Sequence, residues 1–228
     1  MSSLMKRILS ALVLAPVATA AIWYGGIPFY IFMGIGFAIS LQEWAKLSVR
    51  EGVFSARMMG AGILYLAVAF VCCIWLRNQP AGFYLLLYVF FAVWACDIGA
   101  YTAGRMIGGP KMAPQISPNK TWAGLIGGCI AAVTAVMGYD LWLDHHRVDS
   151  AVIAHFSLFF QFILGLFLAV VGQLGDLLES NMKRKAGLKD SGNIIPGHGG
   201  LLDRIDALLL TLPAYAVTVC YLDYLLSR

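Results

Sequence analysis

The chain has 228 residues, of which 60% are hydrophobic and 12% charged, with a mean hydropathy of +0.78. A soluble domain carries about 25% charged residues, and one soluble core of this size cannot hide so much apolar surface, so the composition excludes an ordinary soluble fold and selects a bilayer. The net charge of +4 is spread between apolar runs and not gathered on one face, which excludes a nucleic-acid-binding surface.

In chain order, residues 1–25 have the outline of a signal peptide, with Lys6 and Arg7 ahead of an apolar run and small residues near 18–21. Further apolar runs follow at once, so this stretch reads as a first membrane helix. A span needs about 20 residues, and the runs 8–23, 29–47, 58–76, 83–101, 122–141, 156–174 and 207–226 meet that length closely enough. Apolar runs of this kind are helices, because an isolated strand leaves its backbone unsatisfied in lipid. The predicted class is therefore all-α: a polytopic integral membrane protein of about seven transmembrane helices, with a polar site facing the cytoplasm. Residues 1–96 are expected to hold N-terminal membrane helices, and residues 97–228 a catalytic membrane region.

Orientation follows from Lys and Arg. With the N-terminus inside, every Lys and Arg except Arg77, Arg147 and Arg228 falls on the inner side, the bias that cytoplasmic loops carry. Two long polar loops, 102–121 and 175–206, then share that side. Trp44, at the end of the second run, reads as an interface anchor; Glu43 beside it is either functional or merely near water. The five cysteines form no CxxC pair and lie in apolar runs, so they read as small buried hydrophobes.

The chemistry gathers in the second loop. Continued as a helix, the sixth run places Asp176, Glu179, Ser180 and Lys183 on one face. The chain proceeds through Arg184, Lys189, Asp190 and Ser191 to a glycine-rich turn at His198, Gly199 and Gly200. It ends with Asp203, Arg204 and Asp206, the two acids three apart at a predicted helix start. Carboxylates from separate helices hold a hard cation such as Mg²⁺. Lys and Arg match phosphate oxygens, and a glycine-rich turn before a helix offers amides to an anion. Together they describe metal-assisted phosphoryl or nucleotidyl transfer. Asp97 ends an apolar run, where a carboxylate is costly; it supports a substrate or metal site, or makes a structural ion pair. In the first loop, Ser117, Asn119, Lys120 and Thr121 precede a helix. They either cap it, through Ser or Asn, or recognise a nucleotide, with Lys120 on a phosphate.

The series Ser180, Lys183, Arg184, Lys189, Asp190, Gly192, Pro196, His198, Gly199, Gly200, Asp203, Arg204 and Asp206 resembles the signature of the phosphatidate cytidylyltransferase family, with no position broken. Asp97, Ala100, Tyr101, Gly104, Arg105 and Gly108 resemble the segment ahead of the family's first loop. Ser117 to Thr121, Trp122 and Gly124 resemble that loop itself. At Ala123 many members carry Glu or Gln instead. The resemblance implies that the phosphate of phosphatidate attacks the α-phosphorus of CTP, giving CDP-diacylglycerol and pyrophosphate. It implies a divalent cation, Mg²⁺, with a second monovalent ion such as K⁺, a cytoplasmic-facing cavity and a homodimer. Metal-holding aspartates match Asp176 and Asp203, with Glu179 and Asp206 as further candidates. The nucleophile is supplied by the lipid, so Lys183, Arg184, Lys189 and Arg204 are expected to act by electrostatics and positioning. His198 donates to a phosphate or holds its turn, and Ser180, Tyr101 and Arg105 complete the substrate contacts. The expected partners are CTP, phosphatidate and membrane lipids, in a bacterial inner membrane. Two other classes fit parts of the pattern: an ion-coupled transporter using Asp97 and Asp176, and a nucleotidyltransferase for another lipid phosphate.

Overall fold

A computed structural model describes residues 3–50, 53–146, 157–195, 197 and 199–228. Its elements, in order, are α1 (Ser3–Tyr24), α2 (Gly26–Leu47), β1 (Val49–Arg50), β2 (Val53–Phe54), α3 (Ala56–Asn78), α4 (Gly82–Met106), β3 (Lys111–Ala113), β4 (Ser117–Thr121), α5 (Trp122–His145), α6 (Leu158–Lys185) and α7 (Leu202–Leu226). Six of these helices, α2 to α7, are long and apolar enough to cross a membrane. Their outward flanks keep large apolar side chains exposed, among them Leu64, Ile98, Ile126, Ile130, Phe159 and Val217. Lipid tails are as apolar as leucine, so such flanks carry no penalty there.

Local chemistry sets where each helix begins and turns. Ser55, Thr121 and Ser157 cap α3, α5 and α6, their hydroxyls accepting from Met58 N, Gly124 N and Phe160 N. Gly25 and Gly26, at φ 66° and 53°, reverse the chain between α1 and α2, a backbone region that glycine enters without strain. The Arg77 guanidinium donates to Ile22 O and Trp23 O and so satisfies carbonyls at the end of α1.

The largest core draws on all seven helices, with Ile22 contributed by α1. Tyr88 of α4 stacks on Tyr215 of α7 with centroids 5.3 Å apart, amid Leu86, Val89, Leu168 and Leu212. A second core of Trp44, Leu47, Leu66, Ala69, Leu202 and Leu209 ties α2, α3 and α7 together near the polar end. Trp44 is 1% exposed, and its indole donates to Met58 O at 3.0 Å. It is thus a core residue, against the expectation of an interface anchor. Its burial follows from Gly62, whose missing side chain leaves the space that the indole ring fills.

Helices α4 and α5 pack through a seam of small residues. A Cβ on Gly99 would lie 2.6 Å from Gly127 O, one on Gly124 2.9 Å from Ala100 O, and one on Gly128 2.9 Å from Cys96 O. This is the small-residue packing that lets membrane helices bring their backbones into contact.

Six of the predicted spans fall within helices, whereas the run 156–174 starts ahead of α6, with residue 156 outside the described residues; α4, α6 and α7 also reach past their expected ends, to Met106, to Lys185 and back to Leu202. At about 1.5 Å per residue the 28 residues of α6 run about 42 Å, beyond the hydrocarbon thickness of about 30 Å. Its last turns therefore stand in the polar zone. Residues 111–121 form an antiparallel β3–β4 hairpin, and β1 pairs with β2. The cysteines are free; Cys73 and Cys96 are buried, whereas Cys220 is exposed, contrary to the expectation for all five. The ends of α2, α4 and α6, the starts of α3, α5 and α7 and both hairpins meet at one end of the bundle.

Candidate functional site

The polar end is built on the last turns of α6. Ser180 Oγ donates to Asp176 Oδ1 at 3.2 Å, and Lys183 Nζ lies 3.5 Å from Glu179 Oε1. Both are i, i+4 pairs, so the shared face read from the sequence is present. Lys183 then crosses to α7 and meets Asp203 Oδ1 at 2.6 Å. Glu179 is 1% exposed, and its carboxyl faces that of Asp206 on α7. Gly175 lets the two helices approach this closely, since a Cβ there would sit 2.7 Å from Asp206 O.

Asp203 is the most heavily bonded of the four acids. Besides Lys183, it accepts from Ser191 N at 3.0 Å, Ser191 Oγ at 3.1 Å and Gly200 N at 2.9 Å. These bonds fold the α6–α7 loop back over the start of α7. Gly199, at φ 88°, makes room for the carboxylate, because a Cβ there would fall 2.9 Å from Asp203 Oδ2. Ile195 N donates to Gly199 O at 3.0 Å, an isolated antiparallel bridge. His198, expected to meet a phosphate, lies outside the described residues, as does Pro196.

A residue whose role the sequence left open completes this frame. Glu43, near the end of α2, is fully buried. Its carboxylate accepts from Ser191 Oγ at 2.9 Å, Leu201 N at 3.0 Å and Leu202 N at 2.8 Å. It therefore caps α7 from another helix and is not simply near water. Its signal in the sequence is the acid itself, placed within an apolar run where an ionised group needs partners.

The β3–β4 hairpin supplies the third side. Lys120 Nζ of β4 lies 2.7 Å from Asp176 Oδ2. Thr121 is 3% exposed, its hydroxyl accepting from Gly124 N, so the α5 cap is this threonine and not Ser117 or Asn119. Asn119 is exposed and Ser117 half-buried on the same strand. Arg184, expected on a phosphate, donates to Ile116 O at 3.2 Å and Leu188 O at 3.1 Å, binding the hairpin and the next loop to the end of α6. Lys189 and Arg204 are exposed at the same end. Arg105 donates to Tyr101 OH at 2.7 Å one turn back along α4. Asp97 is exposed on that helix, within electrostatic range of Asp176 and Lys120, and no ion pair of its own is formed among the described residues.

The arrangement thus gathers four carboxylates, three of them paired with the ammoniums of Lys120 and Lys183, and a rim of Lys and Arg. Among the described residues no group of three or more His, Cys, Asp or Glu side chains is arranged to hold a metal ion. Asp176 and Asp203 share one end of the bundle, but each engages its own lysine and they form no joint clamp. The donor set nonetheless suits a hard divalent cation in kind, being all oxygen. The ammoniums at 2.7 Å and 2.6 Å from the two aspartates show how strongly this end draws positive charge. Cationic and carboxylate groups held this way can neutralise and orient polyanions without a protein nucleophile.

A model described as the Cytidylyltransferase family matches residues 54–222. A phosphatidate cytidylyltransferase of Brucella melitensis is 34% identical over 92% of this chain and 90% of its own length. One from Rickettsia bellii is 36% identical over 93% of this chain and 89% of its own. One from Haemophilus influenzae is 36% identical over 86% of this chain and 65% of its own. The match takes in the hairpin, the last turns of α6 and the start of α7, and the chain is a member of the cytidylyltransferase family.

Proposed function

We propose that the chain is a phosphatidate cytidylyltransferase, making CDP-diacylglycerol in phospholipid synthesis. A phosphate oxygen of phosphatidate bonds to the α-phosphorus of CTP, the bond from that phosphorus to the β-phosphate bridging oxygen breaks, and pyrophosphate leaves. The observation that carries this reading is the pair of ion-paired links, Lys120 to Asp176 and Lys183 to Asp203. They join hairpin, α6 and α7 into one charged frame at the end of a membrane bundle. The acyl chains of the lipid stay in the bilayer while its head group meets a water-soluble nucleotide at that frame.

The lipid phosphate is already ionised, so the work of the protein is to bring two polyanions together in line. Lys120, Lys183, Lys189, Arg184 and Arg204 supply cationic charge for the triphosphate. Ser117, Asn119, Ser180, Gly199 and Gly200 supply donors at its edge, with Asp97, Tyr101 and Arg105 on the α4 side. A bound Mg²⁺, with K⁺ beside it, would stabilise charge on the α-phosphate and pyrophosphate, and Asp176 and Asp203, with Glu179 and Asp206 close by, are the residues to hold such ions. The positive-inside bias supports a cytoplasmic position for this end and the N-terminus, and we assign the chain to a bacterial inner membrane as a homodimer.

The test is turnover by purified protein given labelled CTP and phosphatidate in mixed micelles. A lipid-soluble cytidine product and released pyrophosphate are expected. Absence of product with every divalent cation tried, from protein that is folded, refutes the reading.

A further inference from the structure

Glu43 lies outside residues 54–222, the stretch matched to the family, yet its carboxylate is built into the frame around Asp203. One hydroxyl links them: Ser191 Oγ is 2.9 Å from Glu43 Oε2 and 3.1 Å from Asp203 Oδ2. The same carboxylate holds the first amides of α7, Leu201 N and Leu202 N, and so fixes where the helix bearing Asp203 begins. The space around it is shaped to fit. A Cβ on Gly192 would come within 2.5 Å of Glu43 Oε1, and one on Gly200 within 2.6 Å of Glu43 Oε2 and 2.0 Å of Ser191 Oγ. A buried carboxylate with three donors and two glycine walls is held in one rotamer, and it transmits that order to what it touches.

We propose that Glu43 is a positioning residue for cytidylyl transfer, setting the place of Asp203 through Ser191 and through the start of α7. The inference rests on the cytidylyltransferase reading above. A hydroxyl has one proton to donate, so Ser191 Oγ, within reach of both carboxylates, serves one at a time, while its backbone N–H donates to Asp203. Two carboxylates sharing one donor are thereby kept at a fixed separation. Removing the hydroxyl frees that spacing without uncapping α7, because Leu201 and Leu202 still bond Glu43. Removing the carboxylate frees both.

The experiment compares wild type with Ser191→Ala, Glu43→Gln and the double variant. All are assayed as full-length protein in mixed micelles, well below each variant's melting temperature. Ser191→Ala is expected to lower kcat about tenfold, the worth of one charge-assisted hydrogen bond, with the KM for CTP little changed and the melting temperature lowered because a buried bond is lost. Glu43→Gln is expected to lower kcat at least as far, and the double variant no further than Glu43→Gln, since both act through one relay. Wild-type kcat in Ser191→Ala overturns the proposal. So does a loss confined to melting temperature, or fully additive losses in the double variant. If Glu43→Gln does not fold, Ser191→Ala decides alone. Inactive wild type would instead refute the cytidylyltransferase reading.

Discussion

Replacing Asp203 with asparagine separates what this carboxylate does for the fold from what it does for turnover. The side chain receives Lys183 Nζ at 2.6 Å, Ser191 N and Oγ, and Gly200 N. Asparagine keeps one acceptor oxygen and turns an NH₂ group toward these donors. At least two charge-assisted bonds are lost, each worth about 1.5–3 kcal/mol. The Lys183 ammonium, its side chain 10% exposed, is left with Glu179 alone at 3.5 Å. Breaking a buried pair by removing one partner costs about 3–5 kcal/mol, and the surviving Glu179 contact puts this case near about 3 kcal/mol. Lys183→Met should cost more, because it takes the cation from the buried Glu179 as well as from Asp203. Both are measured by equilibrium unfolding in detergent micelles followed by tryptophan fluorescence. An Asp203→Asn protein as stable as wild type, or one less stable than Lys183→Met, would show that this ion pair does not organise the junction of α6 and α7.

Asp176→Asn should cost less stability than Asp203→Asn, because the Asp176 side chain is 28% exposed and gives up one partner only, although the Lys120 ammonium it leaves behind is buried. Turnover should nonetheless be abolished; stable protein with normal kcat removes Asp176 from the site. Chelation with EDTA is expected to stop formation of the lipid product, with recovery on adding Mg²⁺ back, and product formation in EDTA argues against any role for the carboxylates as metal holders. Gly62→Ala puts a methyl group 1.7 Å from Trp44 Nε1, an overlap that must move the indole and cost about 1–3 kcal/mol; a shifted tryptophan emission maximum and a lower melting temperature are the readouts.

Much of this architecture was legible from periodicity. The apolar runs mark the helices because lipid leaves the backbone no alternative, and the α6 face of Asp176, Glu179, Ser180 and Lys183 follows from a local repeat of 3.6 residues. What escaped were bonds between distant segments. Glu43 reaches residues 148 to 159 positions away, and no local pattern reports such a partner. Trp44 resembled an interface anchor because tryptophan is common there, but Gly62 on another helix made it a core residue. Arg184 has the chemistry of a phosphate ligand, yet two of its N–H groups serve Ile116 and Leu188 carbonyls. The hairpin hid because its strands are polar and short, with Pro and Asn in β4, and only pairing across the turn stabilises them.

The glycine seam between α4 and α5 extends mutational sensitivity from the polar end into the helix bundle. Where main chains touch, as at Gly99 against Gly127 and Gly128 against Cys96, there is no side chain to absorb added bulk, and close-packed interiors pass on the strain. The two helices must then part as stiff rods. Lys120 rides on the strand that enters α5, whereas its partner Asp176 rides on α6. A methyl group added in this seam therefore acts as a wedge whose far end is an ionic contact about two turns away, and lesions that appear purely structural will present as losses of turnover.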